Sequence, residues 1–65
     1  MKFYVNTDAR RDGTHMMHSE RCQFLPGEDK RKSLGDYAKS ETALGHAEAA
    51  FDKVGHCRTC CPDLN

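Results

Sequence analysis

The chain has 65 residues, 37% of them hydrophobic, no tryptophan, and ten basic side chains balanced by ten acidic ones. That length allows one domain with a marginal core, and a neutral chain lacks the net positive surface through which a general nucleic-acid coat releases counterions. No apolar run approaches the roughly 20 residues of a membrane-spanning helix, and the opening segment Met1-Lys2-Phe3-Tyr4-Val5-Asn6 has no apolar stretch of signal-peptide length.

The expectation is therefore a soluble, cytoplasmic, monomeric protein with no membrane partner. Its cysteines would be kept reduced, which favours metal over disulfide. A core this thin ordinarily needs a staple, and four cysteines and four histidines are available to make one.

Residues 2–6 predict a strand, with Phe3 and Val5 on one face and Tyr4 on the other. Residues 7–13 form a polar loop with the turn signal Asp12-Gly13. Residues 14–17 predict a second, shorter strand, pairing with the first as a hairpin that delivers His18 at its end. Alternation puts His15 and Met17 on one face and Met16 and His18 on the other. Cys22 follows in a turn. Phe24 and Leu25, scarce large hydrophobes beside it, are expected in the core. Residues 28–32 read as a charged loop, and residues 33–35 as a short third strand with Leu34 inward.

Residues 40–54 predict a helix. Ser40 suits the N-cap and Glu41 the first turn. Leu44, Ala47, Phe51 and Val54 fall on one stripe with Ala43 and Ala50 beside it. Lys53 complements the helix dipole, and Gly55 is placed as the left-handed residue that ends the helix. The predicted fold is small α+β: an N-terminal hairpin, a short third strand and one C-terminal helix that turns directly into a Cys-x-x-Cys knuckle.

Two clusters then stand out: His18-Ser19-Glu20-Arg21-Cys22 and Cys57-Arg58-Thr59-Cys60. A His-x₃-Cys pair and a Cys-x₂-Cys pair together offer the four soft donors of a tetrahedral structural Zn²⁺ site. The expected ligands are His18, Cys22, Cys57 and Cys60. His15, His56 and Cys61 lie near enough in sequence to replace one of them, Cys61 being the strongest rival to His18. A disulfide framework is the competing chemistry, although one of its three connectivities uses the strained vicinal pair Cys60-Cys61.

The segment from His18 to Asp63 resembles the Ada-type zinc-binding domains found at the N-terminus of Ada DNA-repair proteins. The likeness rests on His18…Cys22, on Ser40-Glu41-Thr42-Ala43 opening the helix, and on the close Cys57-Arg58-Thr59-Cys60-Cys61-Pro62-Asp63. It implies a zinc-centred fold. In Ada the first residue of the leading pair is a cysteine that accepts a methyl group from a DNA phosphotriester. Here that position is His18, and a neutral imidazole is not such a nucleophile.

The expected function is accordingly a non-catalytic zinc module that binds protein or nucleic acid. A nucleic-acid role needs Arg10, Arg11, Lys30, Arg31, Lys32 and Arg58 to converge on one face. The alternatives are a zinc-thiolate alkyl acceptor at Cys61 or Cys22, or a redox sensor at Cys60-Cys61.

Overall fold

The structure, a computed structural model, describes residues 1–59. Four strands and one helix make a small α+β unit. They are β1 (Lys2–Asn6), β2 (His15–Ser19), β3 (Arg31–Asp36), α1 (Ser40–Ala50) and β4 (Val54–His56), with a single 3₁₀ turn at Glu28–Lys30 before β3. The sheet order is β3-β1-β2-β4. β1 runs antiparallel to both of its neighbours, whereas β4 is parallel to β2. A parallel partner requires a crossover, and α1 supplies it, packing against β3, β1 and β4.

β1 and its hairpin follow the expected alternation. Phe3 and Val5 are buried beneath the helix side of the sheet, and Tyr4 lies on the opposite face with the Arg31 guanidinium 4.6 Å from its ring centre. The register pairs Tyr4 with His18 and Val5 with Met17. The connecting loop is tied by its own polar groups. The Asp8 N–H donates to Asn6 Oδ1, and the Thr14 N–H donates to Asp12 Oδ1, both at 2.9 Å. β2 runs two residues beyond the expected end, so His18 lies inside the strand rather than after it.

The core is Phe3, Val5, Met17, Ala43 and Ala47, with Leu34, Tyr37 and Leu44 packed half-buried around it. Alanines let the helix sit close to the sheet. Phe24 is not in this core: it is 59% exposed. The turn after β2 closes with the Leu25 N–H on the Cys22 carbonyl (3.1 Å). Cys22 is thereby turned inward and Phe24 outward, while Leu25 is half-buried.

The expected third strand is longer than 33–35, because Arg31 and Lys32 of the charged segment join it and pair with Asn6 and Val5. Gly35 adopts φ +113°, and the Tyr37 ring packs against its α-carbon while the Tyr37 hydroxyl donates to the Leu34 carbonyl at 2.8 Å.

The helix differs from expectation at both ends. Lys39, not Ser40, is the N-cap; Ser40 is the first helical residue and is buried. The helix stops at Ala50, four residues short of the expected end, and Phe51 is already extended (φ −135°, ψ 146°).

Two forces account for the early stop. Phe51, Asp52 and Val54 are mediocre helix formers, and the chain is drawn to the sheet instead. The Phe51 ring stacks on His15 with centroids 4.0 Å apart, and the His15 N–H donates to the Lys53 carbonyl at 2.9 Å. Lys53 therefore lies outside the helix, its ammonium donating to the Asp12 carbonyl at 2.8 Å.

Val54 starts β4, and Gly55 is a strand residue rather than a left-handed stop. Its hydrogen-only side chain lets β4 approach β2, since a β-carbon there would lie 3.0 Å from Met16 Sδ and 3.1 Å from Thr14 Cγ2. No helix among the described residues is long and apolar enough to cross a membrane.

Candidate metal centre

β2 carries both a core residue and a site residue because its side chains alternate. Met17 packs with Phe3 and Ala43 under the helix, so His18 projects from the other face of the sheet. The chain then turns, with the Cys22 N–H donating to the Ser19 carbonyl at 3.1 Å. This one turn brings the Cys22 sulfur to 3.4 Å from His18 Nδ1.

Cys57 arrives from a strand, not from a helix end. Gly55 pairs with Met16 and His56 with Met17, and the ladder continues as the Cys57 N–H donates to the Met17 carbonyl at 3.0 Å. By the same alternation Cys57 shares the helix-free face with His18. Its sulfur lies 3.8 Å from that of Cys22.

One ring nitrogen of His18 and the two sulfurs all lie within 4.8 Å of one another. The three residues are 7%, 8% and 8% exposed. This cluster could hold a metal ion.

The donor set can be tested against tetrahedral geometry. With metal–sulfur bonds of about 2.3 Å and metal–nitrogen bonds of about 2.0–2.1 Å, the edges of the tetrahedron are about 3.8 Å for S···S and about 3.6 Å for N···S. The observed separations are 3.8 and 3.4 Å. A disulfide would bring the sulfurs to about 2.05 Å, so the two cysteines are not bridged, and their 3.8 Å separation is compatible with shared metal ligation.

Electrostatics point the same way. Burial holds the His18 imidazole below its ordinary pKa, which favours the neutral ring. Neutral imidazole is the metal-binding form.

Of the four expected ligands, His18, Cys22 and Cys57 come together, and Cys60 lies outside the described residues. Cys61, named as a rival ligand, lies outside them too. The other two rivals are placed elsewhere. The His15 ring stacks on Phe51 with Nδ1 2.9 Å from the Asn6 carbonyl oxygen, and the pairing of His56 with Met17 puts it on the helix side of β4.

Sequence reasoning did not reveal a pocket of about 310 Å³ that reaches Cys22 and is also lined by Met1, Ser19, Arg21, Gln23 and Thr59. These residues come from three separate stretches of chain, and no local motif links them. No family model matches the chain, and no curated protein or solved structure does either.

Proposed function

We propose that this protein is a small zinc-stapled module of the Ada type, in which Zn²⁺ is held by His18, Cys22, Cys57 and Cys60. Its task is to present a folded surface to a protein or nucleic-acid partner rather than to carry out chemistry. The observation that carries this reading is that the His18–Cys22 and Cys22–Cys57 separations, 3.4 and 3.8 Å, suit two edges of a zinc tetrahedron, with all three donors within 4.8 Å of one another. In the sequence, the Cys-x-x-Cys spacing offers Cys60 as the fourth donor.

Four protein ligands leave the ion no open position for a substrate, which makes the site structural. Thiolates suit a reducing compartment such as the cytoplasm. Three thiolates and one neutral imidazole leave the site at net −1, a charge that Arg21 and Arg58, flanking the ligands in sequence, help to balance.

Relative to the Ada-type pattern, His18 stands where the methyl-accepting cysteine would be. The proposal therefore keeps that fold and metal site and omits the methyl transfer. Native mass spectrometry of the reduced protein tests it. One zinc per chain, lost together with secondary structure on adding chelator, is the expected result. A chain that binds no zinc, or one that keeps its circular-dichroism spectrum in excess chelator under reducing conditions, overturns the proposal. A single cysteine that is rapidly alkylated while zinc stays bound would favour the alkyl-acceptor alternative instead.

A further inference from the structure

The same two sulfurs that would grip the ion also stand ready to bond to each other. Cys22 and Cys57 are 3.8 Å apart and both are buried. Each is anchored by its own backbone N–H, to Ser19 and Met17 respectively. A bond between them requires closing that gap to about 2.05 Å.

Access is unequal. The pocket reaches Cys22 but is not lined by Cys57. We infer that Cys22 and Cys57 form a redox switch: a peroxide entering the pocket oxidises them to a disulfide that takes the place of the metal as the clamp between the β2 turn and the end of β4.

The chemistry balances as follows. The Cys22 thiolate attacks one peroxide oxygen, forming an S–O bond and breaking the O–O bond; hydroxide leaves and is protonated to water. The Cys57 sulfur then attacks the Cys22 sulfenic acid, forming the S–S bond and breaking S–O, and a second water leaves. Two electrons pass from the two sulfurs to the peroxide. Among the described residues, the set that could hold a metal is reduced from three donors to the His18 imidazole, so the ion is released.

Release of the ion rests on the zinc reading above, whereas the cross-link rests on the sulfur geometry alone. The inference moves the redox centre expected at Cys60-Cys61 to a pair that is distant in sequence. It also makes oxidation a conversion between two clamped states rather than a loss of fold.

The test exploits the sequence. Trypsin cleaves after Arg21, Lys30, Lys53 and Arg58, so Cys22 falls in residues 22–30, Cys57 in 54–58, and Cys60 with Cys61 in 59–65. Zinc-loaded protein is treated with hydrogen peroxide in the presence of a chromogenic chelator, alkylated, digested without reductant and mass-analysed. The expected product is peptide 22–30 joined to 54–58. It should appear in step with one equivalent of released zinc, with secondary structure retained and with reversal by dithiothreitol.

Peptide 59–65 joined to either of the other two as the main product overturns the inference, and so does zinc release without a cross-link. If the chain binds no zinc yet still forms the 22–30 to 54–58 link, the zinc reading fails while the disulfide pairing stands.

Discussion

Replacing Cys57 with serine should unfold this domain at room temperature. The serine is nearly isosteric with cysteine, so packing around it changes little, and the perturbation is the loss of one soft donor. Among the described residues, only three large side chains are buried to 2% or less: Phe3, Val5 and Met17. Each stabilises the fold by about 1.5–3 kcal/mol relative to exposure. The other buried apolar residues are Ala43, Ala47, Cys22 and Cys57, with Leu34, Tyr37 and Leu44 half-buried around the core.

A structural zinc contributes on the order of 10 kcal/mol of apparent folding free energy at neutral pH, against a whole-domain stability of about 5–15 kcal/mol. Losing most of that term exceeds what three apolar side chains hold in reserve. The assay is far-UV circular dichroism against temperature and urea, with and without one equivalent of zinc and under reducing conditions. Wild type with zinc should unfold cooperatively, while Cys57→Ser with zinc should resemble wild type with chelator. A domain of this size shifts its midpoint by about 4–8 °C per kcal/mol. A Cys57→Ser midpoint within a few degrees of wild type would therefore refute the reasoning.

Three other outcomes follow from the structure. Gly35→Ala should destabilise by about 1–3 kcal/mol, because φ is +113° and the new β-carbon would sit 3.0 Å from the Tyr37 hydroxyl and 3.2 Å from its ring; an unchanged urea midpoint contradicts this. Phe24→Ser should shift stability by no more than about 0.5 kcal/mol, since the ring is largely in solvent; a larger loss would return Phe24 to the core. Stability should fall on acidification. The folded-state pKa of His18 is depressed by burial, so the unfolded chain binds that proton more readily and stability rises with pH. The contribution is complete above about pH 6.5 and is lost as pH falls through the lower folded value. Proton competition for the ligands acts in the same direction. A urea midpoint for zinc-loaded protein that is flat or higher at pH 5 than at pH 7.5 contradicts this.

What the sequence discloses and what it hides divide along local and long-range physics. β1 is legible because Phe3, Tyr4 and Val5 alternate on a β-branched, aromatic background. The helix start is legible from Ser40 onward and from its alanines. The helix end is not: Phe51 and Val54 continue the helical apolar period, and only the stacking of Phe51 on His15 and the pairing of β4 with β2 end the helix at Ala50. Neither contact leaves a local signature, so Gly55 looks like a helix stop when its role is close strand approach.

The candidate site shows the same division. Spacing singles out His18, Cys22 and Cys57, because chelate geometry is local within the first pair and in the Cys-x-x-Cys motif. That Cys57 reaches the site on the end of a parallel strand is a property of the sheet. The pocket beside Cys22 is likewise assembled from distant residues.

The central claim is that one ion is held by His18 and by cysteine sulfurs. Zinc-edge X-ray absorption of the reduced, zinc-loaded protein addresses it most directly. The account predicts a first shell of three sulfurs at about 2.3 Å and one imidazole nitrogen at about 2.0–2.1 Å. Changing His18→Ala should remove the imidazole scattering. A shell of four sulfurs, or one made of oxygen and nitrogen without sulfur, would contradict it.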